Sequence, residues 1–401
     1  MVTTRSLAPT QWRVWRTWPT WGTVLGLYAL SRVFSTVLLG TLYTVATSRG
    51  WTFASHRDNS TFFTFSGSWD TWFYRQIALH GYPTDLPTDA DGNVMPNAWA
   101  FLPVFPAVTR GVMNVTGLDF YVAGVLVATV FGAAAAYVLF RLVESRVGAT
   151  PALWAVALFS FGPLAFVLQV AYAESLFLFL LFCSLWAMVK QRYLLMIPFA
   201  VIAAFTRPGG LAIALALGII FIVRYVGWRR RGEPFPWSAR IRILVAGAAI
   251  SIAGLAWPMI ASAATGHPGA YLETELSWWT GFVGRQEFIP LTPWFLLTGK
   301  YLGVVGILLV FVVIGSFVWW LTRRGPRALG TELLAYSASY GLYLVAVFLP
   351  QQSLFRLLMP LAPLLGDPTI AGSPRVRRTL LIGGMALQPV AIVLLWFLGY
   401  P

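Results

Sequence analysis

The residue best suited to chemistry is Asp70, an isolated carboxylate in a polar loop that follows a long apolar run. Trp69 precedes it, and Trp72, Phe73 and Tyr74 follow closely. An ionised carboxylate accepts protons, and Trp and Tyr side chains concentrate where a membrane meets water. The pattern predicts chemistry performed at a lipid surface, with Asp70 as the catalytic residue.

The sequence around Asp70 predicts a short helix over residues 68–83, ended by Gly81 and Pro83. At helical spacing Asp70 and Tyr74 lie one turn apart. Such a helix can lie in the membrane interface with its aromatic side chains in the acyl boundary. In the alternative interpretation, Asp70 only caps the helix or pairs with Arg75. Spacing alone leaves both interpretations open.

The elements that must position Asp70 are apolar runs. Hydrophobic residues make up 58% of the 401 residues and charged residues 10%, and the mean hydropathy is +0.71. The core of a single soluble domain cannot bury so many apolar side chains. The expected fold is an all-α integral membrane protein, a bundle of about eleven transmembrane helices in one domain, 1–401. The expected spans are 21–47, 119–140, 151–168, 172–189, 193–206, 208–226, 243–263, 299–321, 331–349, 355–366 and 379–398.

The charge pattern orients this bundle. Of 28 basic residues, most stand in short clusters between apolar runs, which the positive-inside rule assigns to the cytoplasm. This distribution also disfavours nucleic-acid binding, despite the net charge of +14. Arg5, Arg13 and Arg16 predict a cytoplasmic amino terminus in a multi-pass plasma-membrane protein. The loops 48–100 and 264–298 are then extracytoplasmic, provided that the Pro-rich run 101–112 does not cross.

Several motifs along the chain resemble, in order, those of one known family. They are Trp69-Asp70, Tyr74–Tyr82, Ala100–Pro106, Ala171–Phe177, Thr206–Gly210 and Gln352–Arg356 ahead of Pro360 and Pro363. Together they resemble the bacterial PIG-V-like mannosyltransferases of the glycosyltransferase C (GT-C) superfamily, over about residues 20–365.

The resemblance implies a multi-spanning enzyme with its active site on the extracytoplasmic side. The family takes a sugar, usually mannose, from a polyprenyl-phosphate carrier and transfers it with inversion to an acceptor hydroxyl. The catalytic acid of its first outer loop matches Asp70. The motifs also suggest substrate contacts for Trp69, Tyr74, Arg75 and His80, although His80 has local hydrogen bonding as an alternative.

The implied reaction needs a base for the acceptor proton and positive groups for the departing phosphate. Arg207 stands at a turn between two short apolar runs and suits a phosphate, because its guanidinium offers a fork of donors. Arg356 stands at a comparable turn. Glu174 begins an apolar run and is expected to orient the acceptor or to hold an arginine of the site. Alternatively, Arg207 only snorkels or pairs with Glu174.

Arg32 is the charge placed deepest in an apolar run, where an unpaired cation is costly. It is expected to pair with Glu174 or to contact the carrier phosphate. The alternative is a side chain that snorkels from a tilted helix.

No metal site is expected. Asp70 lacks the acidic neighbour that many GT-C relatives show, and His56, His80 and His267 are too scattered to act together as ligands. The single cysteine, Cys183, excludes a disulfide within the chain. The expected partners are therefore a lipid-linked sugar donor and a lipid or glycan acceptor, with no other cofactor.

Two other function classes remain open from the residues. A lipid or polyprenyl-phosphate flippase would be expected to show paired inverted repeats with broken helices, whereas the sequence has one such break, at Pro208. A scaffolding subunit would not need a charged, aromatic-lined cleft. No single motif in the sequence identifies the acceptor or the donor sugar.

Overall fold

The structure, a computed structural model, describes residues 20–54 and 61–400. Apart from an isolated bridge between Thr88 and Val94, the regular structure of these residues is helical. The α-helices are α1 (Thr20–Ser48), α2 (Phe62–Phe65), α3 (Thr71–His80), α4 (Val104–Thr116), α5 (Phe120–Val147), α6 (Ala149–Phe161), α7 (Glu174–Val189), α8 (Tyr193–Ala204), α9 (Gly210–Arg231), α10 (Trp237–Thr265), α11 (Ala270–Ser277), α12 (Thr280–Val283), α13 (Pro293–Leu321), α14 (Arg324–Arg327), α15 (Thr331–Val347), α16 (Leu354–Leu357), α17 (Pro368–Gly372) and α18 (Pro374–Ile392).

The long apolar helices make this an integral membrane protein. Among the described residues, six helical segments are long and apolar enough to cross a bilayer, namely α1, α5, α9, α10, α13 and α18 with the π-turn Val393–Phe397 that continues it. In the interior, α5 packs against α6 and α7, while α9 packs against α10 and α15. α13 lies at the periphery, kinks at Gly303 and exposes most of its apolar side chains, as a lipid-facing helix does.

Three apolar helices inside the bundle are short. α6, α7 and α8 have 13, 16 and 12 residues. At about 1.5 Å per residue they span roughly 18–24 Å, less than the ~30 Å of a hydrocarbon core. Glu174 at the start of α7 and Arg207 just after α8 lie in contact with each other. The shortness of these helices therefore brings charged residues below the level where longer helices end.

The predicted run 355–366 is not one α-helix. It consists of α16 followed by a 3₁₀ helix, Met359–Gly366, that packs between α5, α6 and α15. Pro360 and Pro363 explain the loss of α-helical geometry, because proline lacks the N–H that an interior turn needs. Irregular backbone at this depth is tolerated where protein surrounds it.

The two ends of the bundle differ. We call the end that carries α2, α3, α4, α11 and α12 the loop end. The opposite end carries α14, α17 and most arginine clusters and is called the arginine-rich end; here Arg146 pairs with Glu332, and Arg377 donates to the carbonyl of Ala371. Arg5, Arg13 and Arg16, which orient the predicted topology, lie outside the described residues, as does His56.

The loop end contains the short helix that the sequence predicts. α3 runs from Thr71 to His80 and ends at Gly81, whose φ of +80° favours glycine. α4, formed by the Pro-rich run and the residues after it, has 13 residues and packs against α3 and α5. With 13 residues it is shorter than the described helices that qualify as spans.

Candidate functional site

A strained turn aims Asp70 into the bundle. The preceding residue, Trp69, has a φ of +59°, a left-handed conformation that bulky residues rarely adopt. Its indole Nε1 donates a 2.9 Å hydrogen bond to the carbonyl of Trp396, and its ring lies edge-on to Tyr400. These contacts with the C-terminal segment compensate the strain and place Asp70 at the first residue before α3.

Two further hydrogen bonds attach the start of α3 to the segment before α7. The backbone N–H of Asp70 donates to the hydroxyl of Tyr172 at 3.2 Å, and the hydroxyl of Thr71 donates to the carbonyl of Ala171 at 3.0 Å. Two motifs that are 100 residues apart in sequence are thus joined directly. Because this contact leads into α7, it also sets the distance between Asp70 and Glu174.

Four charged side chains form a network at the loop end. Arg356 Nη1 lies 2.6 Å from Asp70 Oδ2 and 3.3 Å from Glu174 Oε1. The same Glu174 oxygen lies 2.8 Å from Arg207 Nη1. Two carboxylates thus alternate with two guanidinium groups, so the formal charges within the network cancel. Asp70 makes no side-chain cap to α3 and bonds to Arg356, so the alternative of a mere cap or an Arg75 pair is wrong.

The network is buried and incompletely satisfied. Side-chain exposure is 4% for Glu174, 9% for Arg356, 12% for Arg207 and 16% for Asp70. Within the described residues, Glu174 Oε2 and Arg356 Nε are buried without a hydrogen-bond partner. Buried ions are costly unless their remaining donors and acceptors are hydrogen-bonded. Buried polar atoms without a partner in a native site therefore call for a functional explanation. The two more exposed members, Asp70 and Arg207, are the ones open to a ligand.

Tyrosine rings support the network from two sides. The guanidinium of Arg356 lies over the ring of Tyr172, 5.2 Å from its centroid. Tyr74, one turn after Asp70 as the sequence predicts, packs edge-on against Phe101 and Phe105. Burial raises the pKa of Tyr74 well above its ordinary value, so the hydroxyl stays neutral at physiological pH.

Arg207 stands at the turn between α8 and α9. Gly209, two residues on, has a φ of +134°, a backbone conformation that favours glycine. α9 then begins at Gly210 without a side-chain cap. The first N–H groups of a helix have no partner within the helix, and here they follow directly after Arg207.

A narrow cavity adjoins the network. Glu174, Arg207 and Arg356 form its charged lining. The remaining walls are mostly apolar, contributed by Phe177, Leu178, Pro208, Tyr340, Leu357, Met359 and Pro360. The cavity therefore combines a charged end with an apolar passage into the bundle.

Three predicted site residues lie away from the network. Arg32 donates to the carbonyls of Ala165 (2.6 Å) and Ser160 (3.0 Å), at the break after α6, and so neither pairs with Glu174 nor snorkels. Arg75 is exposed and lies 5.8 Å from the ring centroid of Tyr121. His80 is exposed at the end of α3. The indole of Trp69, though adjacent to Asp70, is bound to the C-terminal segment.

The structure adds a carboxylate that the sequence reasoning missed. Glu275, on α11, accepts a hydrogen bond from Tyr271 and lies within electrostatic range of Arg207 and Asp70. Burial raises its pKa from 4.5 to about 7. The available signal was the four-residue spacing of Tyr271 and Glu275, which places both on one helix face.

The described acids do not gather as metal ligands would. No three His, Cys, Asp or Glu side chains among these residues are grouped so that they could hold an ion. Asp70 and Glu174 instead share Arg356 between them.

Comparison with known proteins identifies the fold. No family model matches the chain, and no curated protein matches it. Among solved structures, it is similar to ArnT from Cupriavidus metallidurans bound to undecaprenyl phosphate, with a TM-score of 0.52 and 16% sequence identity. The match covers 93% of this chain but 64% of the ArnT chain, so this chain spans less than two thirds of that protein. The chain has an ArnT-like, all-helical membrane fold, and the sequence predicts such a multi-spanning helical bundle.

Proposed function

We propose that this protein is a membrane glycosyltransferase that takes a sugar from a polyprenyl-phosphate carrier and transfers it to an acceptor hydroxyl. The observation that carries the proposal is the buried network in which Asp70 lies 2.6 Å from Arg356, beside Glu174 and Arg207. It occurs in a fold shared with a protein solved with undecaprenyl phosphate. Base and phosphate-binding groups are the two requirements of the reaction.

Asp70 is the general base in this proposal. Its carboxylate takes the proton of the acceptor hydroxyl as the acceptor oxygen attacks the anomeric carbon. The bond between that carbon and the phosphate oxygen breaks on the opposite face, so the configuration inverts and the carrier phosphate leaves. Asp70 fits the base role because it is the more exposed acid of the network, with 16% of its side chain accessible against 4% for Glu174.

Arg207 and Arg356 bind the carrier phosphate. A guanidinium fork matches phosphate oxygens, and its charge stabilises the negative charge that develops on the leaving group. The uncapped start of α9 adds backbone N–H groups next to Arg207.

Binding of the phosphate also prepares the base. Without donor, Arg356 pairs with Asp70 through Oδ2, so that oxygen is occupied by the guanidinium. An incoming phosphate competes for Arg356 and releases Asp70 toward the acceptor. Glu174 keeps Arg207 in position during this exchange, since the pair lies 2.8 Å apart.

Mannose is the proposed sugar, supported by the resemblance of the motifs to the PIG-V-like family, and a glycolipid or glycan hydroxyl is the proposed acceptor. The test is a transfer assay with purified protein, radiolabelled polyprenyl-phosphate mannose and membrane lipids of a deletion strain. We expect the assay to yield a labelled glycolipid. We also expect the deletion strain to contain a lipid that lacks one hexose. Movement of the carrier lipid between leaflets without sugar transfer would instead establish the flippase alternative.

The loop end is proposed to face the extracytoplasmic side. In a cysteine-free background made by Cys183→Ser, single cysteines at Thr84 and Gln286 of the loop end and at Ser238 near the other end are all at exposed positions. An impermeant maleimide should label Thr84→Cys and Gln286→Cys in intact cells and leave Ser238→Cys unlabelled. Labelling of Ser238→Cys alone would reverse the orientation.

A further inference from the structure

Helix α11 is fixed next to the site by contacts on two of its faces. Ala270 and Thr274 are fully buried, and the side-chain amide of Asn97 donates a 2.8 Å hydrogen bond to the hydroxyl of Thr274. Tyr271 packs against a buried cluster that includes Trp99. The orientation of the helix is therefore determined by packing.

The residue that directly follows α11 ties this helix to α3. Trp278 packs edge-on against Phe73 (5.7 Å between centroids) and Phe101 (6.2 Å). Phe73 belongs to α3, the helix that begins next to Asp70. Tyr271, Glu275 and Trp278 are spaced by four and three residues and so share one face of the helix and its C-terminal extension. Glu275 is the central member of this face.

The groups around Glu275 come from four different elements. Tyr271, on the same helix, donates its hydroxyl hydrogen to the carboxylate. Arg207 and Asp70 lie within electrostatic range, and Tyr343 of α15 faces the same carboxylate. Glu275 thus lies within electrostatic range of both the proposed base and the proposed phosphate-binding arginine, yet it belongs to none of the three ion pairs of the network.

We propose that Glu275, with Tyr271 and Tyr343, forms a subsite that binds the hydroxyl groups of a sugar ring beside Asp70. The inference rests on the proposed function and deepens it by assigning a sugar-recognition site within it. A carboxylate offers two oxygens that accept from neighbouring hydroxyls, and a tyrosine hydroxyl both donates and accepts. This combination fits a ring that carries several hydroxyl groups.

The same carboxylate discriminates against phosphate. Like charges placed together cost free energy, so above about pH 7, where Glu275 is ionised, a phosphate next to it is disfavoured while a neutral sugar is not. Arg207 is paired with Glu174 through Nη1, and its side chain is 12% exposed, so the rest of its guanidinium fork can meet an anion. The arrangement orients a sugar phosphate with its sugar toward α11 and its phosphate toward Arg207.

The test measures binding and transfer separately. Wild type, Glu275→Gln, Glu275→Ala and Tyr271→Phe are compared with Glu273→Gln, a control on the same helix whose exposed carboxylate pairs with His267. Binding is measured for polyprenyl-phosphate mannose and for polyprenyl phosphate without sugar. Transfer is measured with polyprenyl-phosphate mannose as donor and octyl mannoside as acceptor.

We expect Glu275→Ala to lose about tenfold or more in kcat/KM, as for a lost hydrogen bond to a charged group. Glu275→Gln should lose less, because its amide oxygen still accepts. A loss of affinity for the mannosyl donor but not for bare polyprenyl phosphate assigns the subsite to the donor sugar. A raised KM for octyl mannoside alone assigns it to the acceptor.

Two results would overturn the inference. One is that the wild type is active while Glu275→Ala has the same kcat/KM and donor affinity as Glu273→Gln. The other is an equal loss of affinity for the donor and for bare polyprenyl phosphate, which would make Glu275 part of the phosphate site. If wild type transfers no sugar, the proposed function fails, whereas the sugar-dependent difference in binding still decides the role of Glu275.

Discussion

Ion pairs at the two ends of the bundle use the same residue types in opposite surroundings. At the loop end, Arg356 and Asp70 have side-chain exposures of 9% and 16%. At the arginine-rich end, Arg231 and Glu233 have exposures of 60% and 53%. The most buried pair there, Arg146 with Glu332, is exposed by 24% and 16% and joins α5 to α15.

Several arginines at the arginine-rich end lie over aromatic rings. The guanidinium of Arg240 lies 4.0 Å from the ring centroid of Trp228, and that of Arg323 lies 4.5 Å from Trp319. Such cation–π contacts and exposed charges suit a membrane surface. In the proposed function, the positive charge of this end orients the protein in the membrane, whereas the balanced charge of the loop end serves chemistry.

The largest effect is expected at Asp70. Asp70→Asn keeps the shape and a hydrogen-bond acceptor for Arg356 but cannot take a proton, so sugar transfer should fall by about 10²- to 10⁴-fold. The measurement is the initial rate of transfer at saturating donor, with Asp85→Asn, an exposed acid of the same loop, as the matched control. Near wild-type turnover by Asp70→Asn would remove Asp70 as the base.

Removing Arg356 should destabilise the fold. Arg356→Ala leaves Asp70 and Glu174 buried with one guanidinium fewer, and loss of one partner of a buried pair costs about 3–5 kcal/mol. The unfolding temperature in detergent measures this. Arg231→Ala breaks an exposed pair and should leave that temperature unchanged. If Arg356→Ala and Arg231→Ala lower the unfolding temperature equally, the difference in burial between the ion pairs of the two ends has no effect on stability.

Arg207 should mainly affect use of the donor. Arg207→Ala is expected to raise the donor KM by about 10- to 100-fold, the effect of losing a charged hydrogen-bonding partner, and Arg207→Lys to raise it severalfold because the fork is lost. Acceptor dependence should stay close to that of wild type. Altered acceptor dependence with an intact donor KM would place the phosphate elsewhere and make Arg356 the better candidate.

Much of the fold follows from the sequence because it depends on local properties. Apolar runs predict helices in a membrane, and Gly81 ends α3 because its φ is positive. The expected position of Tyr74 one turn after Asp70 follows from helical periodicity alone. The ArnT-like fold agrees with the resemblance carried by the motifs.

The pairings within the site did not follow from the sequence. Arg356 meets Asp70 across 286 positions of the chain, and only the packed bundle fixes that contact. Arg32 was expected near the site, yet the break at Gly162 leaves free carbonyls at Ser160 and Ala165 that are closer partners. Glu275 stands in no motif, so its role emerges only when α11 packs beside α3.

The smallest effect is expected from the ionisation of Glu275. Burial raises the pKa of its folded-state carboxyl from 4.5 to about 7. Between these values the unfolded chain loses its proton while the folded chain keeps it, so stability falls as the pH rises and the full penalty is present above about pH 7. Glu275→Gln cannot ionise, so this loss of stability does not occur in the variant. The free energy of unfolding of Glu275→Gln should therefore equal that of wild type near pH 4.5 and exceed it by about 1–3 kcal/mol at pH 8.5. Thermal unfolding in detergent across this range measures the difference, with Glu273→Gln as the control. A constant difference at every pH would mean that Glu275 is as well solvated as the exposed Glu273 and that its pKa is not raised.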